Sequence, residues 1–261
     1  MLKYIVGAAV LVVAAIGGYY LVTNYQKPEV REPMQEESNV PSVEVVPIEH
    51  ATGILKWGGT TIYFDPIGER AKFAGQPTAD IVLVTDIHGD HLSTSTLAAV
   101  LGDAKLIVPQ AVRDQLPADL QTKATVLGNG QSLTEQGFTV TAIPMYNLPT
   151  AENKDRHVKG RGNGYLIEKE GFRVYIAGDT AGTPEMRSMN DIDVAFVPMN
   201  MPYTMSVEEA ADAVLSFRPR TVYPYHYRTP EGLADVDKFK QLVNAGDPSI
   251  TVVHGAWYPT E

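Results

Sequence analysis

The sequence predicts a layered α/β sandwich, and three observations carry that expectation. Short runs rich in β-branched and aromatic residues recur from residue 43 to residue 253. The early runs lie close together, as antiparallel neighbours do, and the later ones alternate with helical patterns. The 261 residues are 44% hydrophobic and 20% charged, ordinary globular usage that excludes disorder, collagen and coiled coil as global descriptions.

The elements follow in order. Residues 43–50, 53–57 and 60–64 read as strands, the last two joined by Gly58-Gly59, a hairpin signal. Residues 80–85 form an apolar run of the buried kind, followed by a polar loop and a helix over 94–101. Further strands are expected at 106–108, 124–127, 138–144, 164–168 and 173–177, then at 192–197, 221–225 and 250–253. Helices are expected over 207–217 and 236–244. Ser206 with Glu209 forms a capping box before the first of them. Thr183-Pro184 supplies a cap and a proline at the first helical position.

Residues 1–26 stand apart from that pattern. No charge occurs from residue 4 to residue 26, and the apolar core over 5–22 is about the length that crosses a ~30 Å hydrocarbon layer. Tyr19, Tyr20 and Tyr25 sit at its far end, where amphipathic rings favour the interface. The expectation is an uncleaved anchor. A cleaved secretory signal and a buried core helix are the alternatives, and Ala14-Ala15-Ile16-Gly17-Gly18 makes a poor cleavage site. Residues 27–42, with three prolines and four glutamates, read as a linker, which leaves 43–261 as the folded domain. An anchor implies a single pass through the cytoplasmic membrane with that domain outside. Lys3 before the span and Lys27 and Arg31 after it do not decide the orientation by charge. The export of a long domain behind a first span does.

Cysteine is absent, which removes disulfides, thiolate ligands and a cysteine nucleophile. The net charge is -10, and only three of 21 basic and four of 31 acidic residues precede residue 41, so the acidity belongs to the domain. A nucleic-acid partner is therefore not expected.

The informative residues stand at strand ends. The run ending at Thr85 leads into Asp86-Ile87-His88-Gly89-Asp90-His91, four metal-competent side chains in six positions of a chain with six histidines. In an extended segment Asp86, His88 and Asp90 point to one side, and a turn at Gly89 brings His91 round. Imidazole and carboxylate are donors that zinc, iron and manganese accept. Three later strands end in Gly178-Asp179-Thr180, in Pro198-Met199-Asn200 and in His226, and chemistry in α/β sheets collects where strands end.

The order Asp65-Pro66, Asp86-x-His88-x-Asp90-His91, Gly178-Asp179-Thr180 and His226 resembles the metallo-β-lactamase fold superfamily over residues 43–258. It is most similar to the branch of L-ascorbate-6-phosphate lactonase and N-acylphosphatidylethanolamine phospholipase D type enzymes. The resemblance implies a four-layer αββα sandwich carrying one or two divalent ions, zinc or manganese/iron, at one edge. It puts Asp90, His91 and His226 at the second metal position and Asp179 between both. The first position departs from the family pattern, because Asp86 stands beside His88 where a histidine is usual. Its third ligand is His157, with Asn147 as the fallback. An aspartate there hardens the donor set, favouring manganese or iron, or leaves a single tightly held ion.

The implied chemistry is metal-assisted hydrolysis, in which the pKa of bound water is lowered to about 7. Asp90 is the catalytic candidate, orienting that water or handing a proton to the leaving group. Asp65 is expected to accept a hydrogen bond from a ligand histidine, unless it is only a turn residue before Pro66. Asn147, Lys159, Asn200 and Tyr203 are the substrate-facing candidates, with Thr204 beside Tyr203 and Arg161 beside Lys159. His50 belongs either at the mouth of the site or to a strand with a polar neighbour, and His254 has a structural place. The expected substrate is a small molecule or lipid-like ester, a phosphoester or lactone. The alternatives are a β-lactam, a thioester, or a catalytically weak metal-binding module.

Overall fold

The computed structural model describes residues 42–258. The anchor or signal expectation for 1–26 and nearly all of the linker lie outside the described residues. Among the described residues no helix is long and apolar enough to cross a membrane.

The first sheet contains β1 (Val43–Glu49), β2 (Thr52–Trp57), β3 (Thr60–Phe64), β4 (Ile81–Leu83), β5 (Lys105–Val108) and β6 (Ala124–Val126), side by side in that order. Its first three strands are antiparallel and the rest join in parallel. Parallel neighbours need crossovers, and here they carry α1 (Thr94–Val100), α2 (Gln110–Arg113) and α3 (Ala118–Lys123).

The second sheet repeats the plan. β7 (Ser132–Glu135), β8 (Phe138–Met145), β9 (Gly162–Lys169) and β10 (Phe172–Ile176) are antiparallel. β11 (Val194–Pro198) and β12 (Thr221–Tyr225) follow in parallel, reached through α4 (Pro184–Arg187) and α5 (Val207–Phe217). A small hairpin, β13 (Arg228–Thr229) and β14 (Gly232–Leu233), and α6 (Val236–Gly246) lead to β15 (Thr251–Val252), which joins in parallel beside β12.

Side-chain alternation explains the layering. In β3, Ile62 and Phe64 enter the core between the sheets with Phe138 and Tyr165. Tyr63 points the other way, to a second core with Leu97 and Leu101 at α1. In β4, Ile81 and Leu83 face inward and Val82 outward, a continuous apolar run because both faces are covered. Ala210, Val214 and Phe217 of α5 pack on the second sheet, with Phe217 against Tyr175 on the face turned away from the first sheet. The result is the αββα order the resemblance implied.

The capping box at Ser206 is formed: its hydroxyl accepts from Glu209 N and its own N–H donates to the Glu209 carboxylate. Sequence reading missed β7, a polar edge strand, and the short helices α2 and α3, each entered through an extended proline cap.

Candidate metal centre

Three strands of the two sheets stop one residue short of a site residue, and that residue turns left-handed. His50 follows β1 with φ 49°, Asp65 follows β3 with φ 44°, and His226 follows β12 with φ 47°. Such backbone is unfavourable for residues with a Cβ and concentrates where surrounding contacts enforce it. Gly178, just after β10, has φ +66°, and a Cβ there would stand 2.5 Å from Met145 Sδ and 3.1 Å from Thr85 Cβ. Only glycine lets the chain pass so close and present Asp179.

The segment from Asp86 to His91 is a turn. His88 O accepts from both His91 N (2.9 Å) and Leu92 N (2.8 Å). The expectation that Asp86, His88 and Asp90 share one side of an extended segment is therefore corrected. The turn sends Asp86 and His88 toward His157, and Asp90 toward His50 and His226. Three sets of donors result: Asp86, His88 and His157; His91, Asp179 and His226; and His50, Asp90 and His226. Asp179 joins the first two. Its Oδ2 lies 3.0 Å from His157 Nε2 and 3.3 Å from His91 Nε2, and its Oδ1 lies 3.1 Å from His226 Nε2.

Buried partners fix the rings of the inner set. Asp65 accepts from His91 Nδ1 (2.8 Å), from Thr85 N (2.7 Å) and from the Thr85 hydroxyl (2.6 Å), so His91 Nε2 points at Asp179. This is the ring-orienting acceptor expected of Asp65. Asn200 lies with its amide 3.1 Å from His226 Nδ1. Burial opposes protonation of His91, but the Asp179 and Asp65 carboxylates outweigh it and hold the imidazole well above its ordinary value. Burial likewise opposes ionisation of Asp179, and His226 and His91 more than compensate, keeping its carboxyl well below the usual range.

The outer set is more open. The His88 side chain is 42% exposed, with Nδ1 2.8 Å from Asp86 Oδ2. Asp86 is fully buried, and Arg161 grips it with two hydrogen bonds, Nε to Oδ1 (3.1 Å) and a terminal nitrogen to Oδ2 (2.9 Å). Burial resists ionisation of Asp86, and His88, His91 and Arg161 override it, so its pKa is lowered. Asp90 is 41% exposed, and its pKa is lowered by His226 and His50 against the effect of burial. Held ionised, Asp90 suits the part of an acceptor that orients water, not of a resting proton donor.

His50 is in the cluster, not merely near a mouth. Its ring lies 4.0 Å from that of His226, with Nε2 3.3 Å from Asp90 and Nδ1 2.7 Å from the Tyr258 hydroxyl. His254 lies apart, 3.7 Å from Asp237.

Two of the substrate-facing candidates are engaged by other contacts. The Asn147 amide donates to Asn153 O (2.9 Å) and Tyr203 O (2.8 Å), which ties two loops together and leaves neither hydrogen for a ligand. Its buried carbonyl oxygen has no hydrogen-bond partner among the described residues, and it is His157 Nε2 that lies beside Asp179. Lys159 pairs with Glu185 at 2.5 Å and stacks over Tyr146, away from the cleft. Asn200 and Tyr203 do line the cleft, a space of about 200 Å3 shared with His88, Asp90, Arg156, His157 and Asp179.

The residues fit a divalent ion. Among the described residues the buried His157 Nε2 and Asp179 Oδ1 have no hydrogen-bond partner, an arrangement that costs free energy unless something else satisfies them. His91 Nε2 and His226 Nε2 converge to 3.0 Å beside the same carboxylate. Nitrogen and carboxylate oxygen, without sulfur, are donors common to zinc, manganese and iron.

A two-sheet α/β sandwich with such a cluster at one edge defines a metal-dependent hydrolase of the metallo-β-lactamase fold. A family model described as "Beta-lactamase superfamily domain" matches residues 44–226. A UPF0173 metal-dependent hydrolase of Pyrococcus abyssi is 30% identical over 226 residues, covering 81% of this chain and 96% of its own. A Parabacteroides distasonis crystal structure, assigned as a metal-dependent hydrolase, is 35% identical, covers 84% of this chain and 94% of its own, and superposes with a TM-score of 0.74. The chain belongs to the β-lactamase superfamily and, within it, to the UPF0173 metal-dependent hydrolases. A metallo hydrolase of the archaeon Ignicoccus hospitalis, 24% identical over 81% of this chain and 94% of its own, shares the fold at a TM-score of 0.68.

Proposed function

We propose that the chain hydrolyses a phosphoester or a lactone with two divalent ions held side by side. The observation that carries this reading is Asp179, whose two oxygens face His226 on one side and His157 and His91 on the other. His91, Asp179, His226 and Asp90 would hold one ion, and Asp86, His88, His157 and Asp179 the other. Such ions supply Lewis acidity toward a phosphoryl or carbonyl oxygen and a water acidified to about neutral pH. Asp90, ionised and braced by His50, orients the attacking water. Asp65 and Asn200 keep the His91 and His226 rings aimed at the reacting centre. Tyr203 and Asn200 line the same cleft as His88, where the Tyr203 hydroxyl offers a partner to a polar group of the substrate. The resemblance to the lactonase and phospholipase branch supports the choice of bond, and the uncharged run over 4–26 supports a membrane-anchored enzyme with its domain outside.

The test is turnover by the full chain, stripped with chelator and reloaded with zinc or manganese. The substrates are bis(p-nitrophenyl) phosphate, an aliphatic lactone, an acyl thioester and a chromogenic β-lactam. The expected result is metal-dependent cleavage of the phosphodiester or the lactone. Cleavage of the thioester or β-lactam alone would replace this reading with the other.

A further inference from the structure

The cleft of about 200 Å3 is smaller than the 300–1,000 Å3 usual for ligand pockets, so it takes the reacting group and little else. A second pocket of about 510 Å3 adjoins it. The two share Arg156 as a lining residue, and their wall is built from neighbouring positions in the chain. His157 faces the cleft, while Arg156 faces both. Asp179 lies in the cleft, and Ala181 and Gly182 line the pocket.

That wall is braced. Besides the Asn147 ties, Asn153 donates from its amide to Pro202 O (3.2 Å) and Thr204 O (3.0 Å), fastening the loop before His157 to the loop after β11. Leu148, Ala151, Met201, Pro202 and Met205 give the pocket an apolar lining. Met201 is one of three large hydrophobic side chains exposed among the described residues, and Val158, next to His157, is another. Exposed apolar side chains beside a functional cleft are the kind that mark binding surfaces.

The charges in the pocket are unequal in availability. Arg187 is committed to Asp212, to the Ser216 hydroxyl and to Gly182 O. Glu209 is committed to the α5 cap. Arg156 has no carboxylate or hydrogen-bond partner for its guanidinium among the described residues, only the face of Tyr203 at 5.3 Å. Stacking holds the guanidinium plane and leaves its N–H groups free. Glu152, the remaining charge, is exposed, as Arg156 itself is.

We propose that the substrate is an amphipathic anion, with its negative group on Arg156, its hydrocarbon part in the 510 Å3 pocket and its reactive ester in the metal cleft. The placement of the ester rests on the hydrolase reading, whereas the anion and hydrocarbon sites stand on Arg156 and the pocket alone.

The test is calorimetric binding of methanesulfonate, butanesulfonate, octanesulfonate, octanol and octyltrimethylammonium to the metal-loaded full chain. Sulfonates are weak metal ligands, so they report on the pocket rather than on the ions. Each result is read as the difference between parent and variant, which cancels partition into detergent. Affinity is expected to rise with chain length, by up to roughly fourfold per buried methylene. Arg156→Gln is expected to weaken octanesulfonate by about tenfold or more and leave octanol unchanged. Ala151→Trp is expected to reduce octanesulfonate to the level of methanesulfonate. Affinity independent of chain length, an Arg156→Gln protein that binds like the parent, or octyltrimethylammonium binding as tightly as octanesulfonate would each overturn the proposal. No turnover is needed for these readouts. A chain that binds the series but cleaves no ester retains the pocket and loses the hydrolase reading, and a chain that cleaves esters but ignores the series does the reverse.

Discussion

Around His91 and His226 each ring nitrogen facing away from the cluster meets a buried partner, Asp65 for one and Asn200 for the other. Around Asp86, His88 and His157 the supports are a partly exposed arginine and the donors themselves. His157 Nδ1 has no hydrogen-bond partner among the described residues, and His88 is open to solvent. The inner set is thus aimed before any ion arrives, while the outer set has freedom to adjust. Preorganised donors lose less on binding, so the two positions should differ in how firmly they hold an ion.

The largest test of that difference removes the inner set. His91→Ala with His226→Ala is expected to abolish hydrolysis and strip the tighter ion, read as metal per chain by mass spectrometry after desalting. Full retention of metal in this double variant would place the tight site elsewhere. Asp86→Ala is the matching change in the outer set, and it should lower the content toward one ion per chain while the inner ion stays. Asp86→His rebuilds an imidazole pair and should shift preference from manganese toward zinc. Identical stoichiometry and preference across parent and both Asp86 variants would remove Asp86 from the ligands.

A smaller effect separates aiming from ligation. Asp65→Ala leaves Thr85 and His91 Nδ1 without their acceptor in a fully buried place, although Asp65 itself touches no other member of the cluster. Loss of such a ring-orienting partner weakens metal affinity by about 10–100-fold. Competition titration with a chelator reads the shift, and an unchanged affinity would mean that Thr85 alone, whose hydroxyl lies 3.1 Å from His91 Nδ1, sets the ring.

Much of this site was legible because it lies at strand ends. Asp65, Asp179 and His226 each follow an apolar run that the sequence marks as a strand, and the capping box before α5 marked the crossover beyond β11. What was not legible depends on distant pairings. Asp86 and Arg161 are 75 residues apart, so no local pattern announces that the aspartate arrives already paired. Lys159 is drawn away by Glu185, and Asn147 is occupied by Asn153 and Tyr203. His50 enters the cluster only because β1 ends in a left-handed residue whose N–H donates to Trp257 O and whose carbonyl accepts from His226 N. Positive φ at a histidine has no local sequence signal, since most histidines do not adopt it and distant contacts decide which do.

The finest test concerns Arg161, and it predicts two effects of opposite sign. In the protein without ions the guanidinium balances the buried Asp86 carboxylate, and removing one partner of a buried pair strands the other. Arg161→Gln should therefore lower the stability of the ion-free chain by about 2–4 kcal/mol, toward the lower end because Arg161 is itself partly exposed. The same change leaves a carboxylate whose negative charge only a cation can compensate. An ion bound by Asp86, His88 and His157 then gains what the arginine had supplied, so the outer position should hold manganese several-fold more tightly than in the parent. The two effects meet in one measurement, the rise in unfolding temperature on adding metal, because a ligand that binds only the folded chain stabilises it in proportion to its affinity. That rise should be larger in Arg161→Gln than in the parent and return to the parent value in Arg161→Lys, which restores a positive charge. An equal rise in all three would mean that Asp86 serves only to anchor Arg161 and that the outer set works with its two histidines and Asp179 alone.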